Sequence, residues 1–140
     1  MENTMNHERH ETCISKILSF ILELQKCVEN VELDTVSGCD KPCLGPSINN
    51  GLIFNTRPIT LYSCCTGALW TMPYTLNGVT ADSTVFRIVK VDDNCATFEI
   101  LAPNPDNTNP LLPYIGTNNF FTIKLDCVLA IRCLNDTYVD

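Results

Sequence analysis

The sequence predicts a mainly β chain of the α+β class: one N-terminal amphipathic helix followed by a small antiparallel β-sandwich. Three observations carry this. Apolar residues recur at helical spacing from residue 13 to about 29, they recur at period two in several runs beyond residue 51, and the stretch between is broken by Gly and Pro. A length of 140 residues suits one domain around one core, and an apolar fraction of 45% is ordinary for a globular chain. Residues 1–11 read as a flexible tail and 12–140 as a single cysteine-rich domain, with a helix over about 12–30, a loop over 31–50 and the sandwich over about 51–136.

The helix begins at Thr12, a side chain suited to capping exposed backbone N–H groups. Ile14, Ile17, Leu18, Ile21, Leu24 and Val28 form its apolar stripe, and Lys16, Ser19, Glu23 and Lys26 lie largely opposite. Ser37 to Pro46 contains Gly38, Pro42, Gly45 and Pro46, which forbid a long regular element. Strands are expected at Pro58 to Tyr62, Val85 to Val91, Cys95 to Leu101 and Phe120 to Leu134, where β-branched and aromatic residues concentrate. Asp92-Asp93-Asn94 reads as a hairpin turn. Ala102 to Asn119, with four prolines and five asparagines, reads as a long surface loop. In the last run, Phe121, Ile123, Leu125, Cys127, Leu129, Ile131 and Cys133 share one face, and Thr122, Lys124, Asp126 and Arg132 share the other. Alternation this regular predicts a central strand with the first set inward.

Charge and cysteine content bound the function. A net charge of −7 with only nine scattered Lys and Arg argues against nucleic acid, which needs clustered cations. No apolar run approaches the roughly 18 residues of a membrane span. Nine cysteines are a density expected where disulfides form, yet the early apolar stretch, interrupted by Ser15, Lys16, Ser19 and Glu23, lacks the form of a signal peptide. The expectation is a chain made in a cytoplasm and oxidised later. An odd count leaves at least one thiol free, metal-bound or paired with another molecule.

Geometry sorts the cysteines. Cys13 and Cys27, 14 positions apart on one helix, are separated by roughly 21 Å and cannot pair with each other. Both lie at a margin of the apolar stripe, either buried or at a rim where a second subunit docks. Cys127 and Cys133 stand about 20 Å apart on the apolar face of one strand and are expected to be buried. Cys64 and Cys65 are adjacent and point to opposite faces of a strand, so at least one is exposed or partnered. Cys95 opens a strand beside a turn. Cys39 and Cys43 share the Gly/Pro loop. Cys13, Cys27, Cys39, Cys43 and Cys95 are therefore the candidates for intermolecular disulfides.

Other chemistry fits these residues less well. Cys39, Cys43, Cys64 and Cys65 offer four thiolates for zinc, but without the two-residue gap usual between paired ligands. A zinc-thiolate scaffold module is the alternative reading. His7, His10 and Cys13 fall in or beside the tail, so no Cys–His pair is expected in the core. There is no C-x-x-C, no phosphate loop and no nucleophile elbow, and Asp92-Asp93 reads as turn chemistry rather than a paired acid site. No catalytic residue, resident metal or cofactor is expected.

Several segments together resemble the cysteine-rich spore coat and exosporium proteins of the CotY/CotZ/ExsY type. They are CISKILSFILELQKC from Cys13, GCDKPCLG from Gly38, NTRPITLY from Asn55, VFRIVKVDDNCA from Val85 and LDCVLAIRCLND from Leu125. Cys13, Cys27, Cys39, Cys95, Cys127 and Cys133 match cysteines typical of that family, whereas Cys43, Cys64 and Cys65 depart from its pattern. The resemblance implies a structural protein that assembles with itself into two-dimensional lattices of a spore's outer layer, with other coat and exosporium proteins as further partners. It also implies hardening by disulfides, and synthesis in the mother-cell cytoplasm without a signal peptide.

Overall fold

The computed structural model describes residues 13–26, 39, 44, 54–106, 108, 110 and 112–140. Within them the chain is mostly β with one N-terminal helix, and every strand pairing is antiparallel. Helix α1 spans Cys13–Lys26. The strands are β1 (Ile59–Ser63), β2 (Met72–Leu76), β3 (Val79–Ser83), β4 (Val85–Asp92), β5 (Cys95–Pro103), β6 (Tyr114–Lys124) and β7 (Val128–Cys133). Five of them form one sheet in the order β6-β5-β4-β1-β7, while β2 and β3 form a separate hairpin. Thr12 and Val28 lie outside the described residues.

One face of the sheet is the core, and register explains which residues supply it. Ile59 pairs with both Phe86 and Cys133, Leu61 with Ile131, Phe86 with Ile100, Ile88 with Phe98, and Ala96 with Ile123. Directly opposed residues share a face, so these apolar side chains form one layer. Ile14, Leu18 and Ile21 of α1 pack into it, joined by Trp70, Met72 and Tyr74 from the hairpin side. Helix and hairpin thus act as the second layer. Phe86, Phe98 and Phe121 meet at centroid distances of 4.9 to 6.2 Å, in edge-on, tilted and stacked arrangements.

The opposite face is polar. Arg87 pairs with Glu99 across β4 and β5, and the hydroxyls of Thr97 and Thr122 are 2.8 Å apart. The C-terminal segment runs beside residues 54–56: the Asn55 side-chain amide accepts from Val139 N–H at 2.9 Å and donates to Val139 C=O at 2.9 Å. Gln25 fills a comparable gap. β1 and β4 pair only at Ile59 and Phe86. At the next position of that register, Gln25 Nε2 donates to Ile88 C=O at 3.0 Å, and Arg57 N–H donates to Gln25 Oε1 at 3.1 Å. One side-chain amide from the helix therefore stands in for a missing strand pair, satisfying buried backbone groups where the strands part.

Three expectations are corrected. The Ala102 to Asn119 loop is shorter than expected: β5 runs through Pro103, and β6 starts at Tyr114. The Met72–Ser83 hairpin was not expected at all. Its turn, Asn77-Gly78, has both residues at positive φ (52° and 79°), a form that suits Asn-Gly. Phe120 to Leu134 is not one central strand. A 3-10 turn at Leu125–Cys127 divides it, and its halves are the two edges of the sheet. A three-residue link between opposite edges requires the sheet to coil around its apolar face. In β7, Tyr62 pairs with Ala130 and Ser63 with Val128, which leaves Leu129 as an unpaired bulge residue, 60% exposed. The bulge shifts the alternation by one, so Val128 is buried in place of Leu129, and Ile131 returns to the core. Lys124 and Arg132 are exposed, as their face required.

Candidate functional site: the surface thiols

Around the 3-10 turn the backbone gathers cysteines that are far apart in sequence. Cys95 opens β5 and pairs with Lys124, the last residue of β6. Leu125 N–H donates to Asn94 C=O at 2.7 Å, fixing the start of the turn against the β4–β5 hairpin. At the other end, Cys64 N–H donates to Cys127 C=O at 3.0 Å, continuing the β1–β7 register beyond Ser63 and Val128. Cys64 and Cys65 begin a tight turn in which Gly67 N–H donates to Ser63 C=O and Ser63 N–H to Ala68 C=O. Gly67 has φ of 71°, a conformation that favours glycine.

Four free thiols therefore surround one short turn: Cys64, Cys65 and Cys127 are exposed, and Cys95 is half-buried. Cys64 Sγ lies 3.4 Å from Asp126 C=O as donor. Desolvation raises the Cys64 pKa above the ordinary thiol value, and the charge and hydrogen bond of Cys65 and the charge of Cys127 raise it further. Cys13, the first residue of α1, is the remaining free thiol among the described residues and is exposed. Cys27, Cys43, His7 and His10 lie outside the described residues.

Cys39 and Cys133 form an intrachain disulfide, with Cα atoms 5.4 Å apart and a sequence separation of 94. It sits beside a buried ion pair. Arg57 Nε donates to Asp136 Oδ1 at 2.7 Å and Nη2 to Oδ2 at 3.2 Å, while Nη1 donates to Cys39 C=O at 3.2 Å. The two side chains are 1% and 6% exposed. A forked guanidinium matches a carboxylate in this two-point geometry. The same Arg also holds the backbone next to the disulfide.

These positions correct three expectations. Cys39 is bonded within the chain rather than available to a neighbour. Cys133 packs against the core but is half-buried and disulfide-bonded. Cys127 is exposed, because the 3-10 turn lifts it out of the strand alternation that would have buried it. The bond to Cys133 also removes Cys39 from the four-thiolate zinc set, and among the described residues no group of three or more His, Cys, Asp or Glu is placed to hold a metal. Arg57 and Asp136 were not singled out in the sequence, although each lies inside a family-like segment. No local pattern pairs residues 79 apart.

An open cleft of about 620 Å³ lies beside the disulfide, lined by Phe54, Tyr114, Arg132, Cys133 and Asp136 among others. Its cysteine is already oxidised, its Asp is committed to Arg57, and burial pushes the Tyr114 hydroxyl pKa up. No helix of the described residues is long and apolar enough to cross a membrane.

The sequence profile of the spore coat protein Z family matches residues 1–136. Spore coat protein Z of Bacillus subtilis (strain 168) is 24% identical over 147 residues, covering 95% of this chain and 95% of that protein. No solved structure matches the chain. A profile match over almost the full length, on a fold that displays free thiols around a disulfide-tied β core, identifies the chain as a member of the spore coat protein Z family and hence as a structural protein of the spore's outer layer.

Proposed function

We propose that the protein assembles with copies of itself into a two-dimensional lattice in the spore coat or exosporium, and that intermolecular disulfides then harden the array. Family membership supports the layer, and the observation that carries the cross-linking is the set of free thiols presented at the surface by Cys13, Cys64, Cys65 and Cys127, with Cys95 beside them. Thiols on the helix as well as on the turn allow one subunit to be tied to more than one neighbour. Folded subunits meet first through weak repeated contacts, which a closed ring or lattice multiplies. Thiols held close by docking then oxidise, and the array resists dissociation kinetically. A net charge of −7 keeps free subunits apart beforehand. Synthesis in the mother cell before release into oxidising surroundings accounts for cysteine density without early cross-linking, and other coat proteins are the further partners.

The test is serine replacement of Cys13, Cys27, Cys43, Cys64, Cys65, Cys95 and Cys127, with Cys39 and Cys133 retained because their bond ties the fold. The variant subunits should still associate into arrays by electron microscopy, but those arrays should dissolve in heat or denaturant without reductant. Failure to associate at all would mean that disulfides nucleate assembly, against the two-stage scheme. Ladders on non-reducing gels that still require reductant would mean that the links run through Cys39 and Cys133, against the role given to the free thiols.

A further inference from the structure

We propose that Cys64 and Cys127 form a reversible dithiol pair, a thiol–disulfide exchange site that accepts a disulfide and resolves it within the chain. Two features of geometry carry this. Cys64, the residue after β1, and Cys127, the residue before β7, face each other one step beyond the Ser63–Val128 pair, joined by the Cys64 N–H to Cys127 C=O bond at 3.0 Å. Residues facing each other across an antiparallel register have Cα atoms about 4.5–5.5 Å apart, inside the range a disulfide bridges. Both thiols are exposed, so an incoming disulfide reaches them. Cys65 is the less suitable partner for Cys64, since a bond between adjacent cysteines is strained.

The exchange balances as follows. The Cys127 thiolate attacks one sulfur of an incoming disulfide R–S–S–R, forming a Cys127–S–S–R bond and expelling one RS⁻. Cys64 then loses its proton to solvent, and its thiolate attacks the Cys127 sulfur. The Cys64–Cys127 bond forms as the second RS⁻ leaves. The incoming disulfide is reduced to two thiols, and the protein dithiol is oxidised by two electrons. The order has an electrostatic reason: once Cys127 is in a mixed disulfide it carries no charge, so one of the influences that raise the Cys64 pKa disappears. The first step prepares the second. Where R is a cysteine of a neighbouring subunit, the same chemistry releases that neighbour, so links made through Cys127 are exchangeable whereas links through Cys13 are not. That consequence rests on the lattice reading, but the exchange chemistry does not.

The experiment uses the full chain, dilute, with the Cys39–Cys133 bond intact and the remaining cysteines reduced, in a Cys13→Ser/Cys27→Ser/Cys43→Ser/Cys95→Ser background, and one equivalent of 5,5′-dithiobis(2-nitrobenzoate) as the probe disulfide. The expected result is two nitrothiobenzoate ions released per chain, and a peptide joining Cys64 to Cys127 with no probe left on either. Adding Cys127→Ser should cut the release to one and leave the probe attached at Cys64 or Cys65, while Cys65→Ser should leave the joined peptide in place. Persistent probe adducts on both Cys64 and Cys127, or a joined peptide that disappears in the Cys65→Ser variant, would overturn the proposal. Circular dichroism of each variant confirms that the fold persists. Because the readout is made on single chains, its outcome is separate from whether subunits form a lattice.

Discussion

Removing the Cys39–Cys133 bond is expected to cost the protein a large part of its stability. The bond joins positions 94 apart, and the chain-entropy relation gives about 4.7 kcal/mol at 25 °C for a closed loop of about this length. Domains of this size are stable by roughly 5–15 kcal/mol, so the loss leaves a marginal fold. Unfolding entropy of about 0.29 kcal/mol/K for 140 residues converts the loss into a fall in Tm of about 16 °C. The perturbation is the pair Cys39→Ser and Cys133→Ala, made singly and together and followed by calorimetry with and without reductant. Either single change should remove nearly the whole stabilisation and the double change should add little, because the two cysteines act as one unit. Reductant should lower the parent's Tm and leave the double variant's unchanged. A double variant within about 1 kcal/mol of the parent, or an equal response of both proteins to reductant, would refute the assignment of this bond as the staple of the fold.

Three further outcomes follow from the packing and electrostatics. Asp136→Asn leaves the Arg57 guanidinium, 1% exposed, without its carboxylate and should destabilise by about 3–5 kcal/mol in denaturant titration; a change below about 1 kcal/mol would show that the remaining Arg57 contacts suffice. Gly116→Ala places a Cβ 2.6 Å from Glu99 Oε2 and displaces that oxygen from Asn118 N–H, at a cost of about 1–3 kcal/mol in thermal unfolding. Because desolvation, Cys65 and Cys127 hold the Cys64 pKa above the ordinary thiol value, its thiolate fraction keeps rising beyond pH 9. Alkylation of Cys64 at pH 9, followed by peptide mass analysis, should therefore quicken in Cys127→Ser, and an unchanged rate would remove Cys127 from its surroundings.

The sequence by itself determined the elements whose causes are local. The stripe of Ile14, Leu18 and Ile21 was read at helical spacing, and all three are buried on α1. The run around Asp93 was read as a hairpin, and Asp92 pairs with Cys95 across it. Asn77-Gly78 is an equally local turn signal, and the strand before it tolerates Pro73 because β2 belongs to a two-stranded ribbon. Recognition of the family rested on five segments in order, and the profile match bears it out.

Only the tertiary structure decided what depends on groups distant in the chain. Period-two alternation placed Cys127, Leu129 and Cys133 on one buried face, but a 3-10 turn and a bulge cost nothing visible in the pattern and send Cys127 and Leu129 to the surface. The choice of Asp136 for Arg57 is made by the pairing of β1 with β7, which Thr56 and Thr137 extend, and nine cysteines offer too many pairings for spacing to choose Cys133 for Cys39. Local periodicity records which face of an element is apolar. It does not record where the chain steps out of phase, and that is what sets which thiols are presented to solvent.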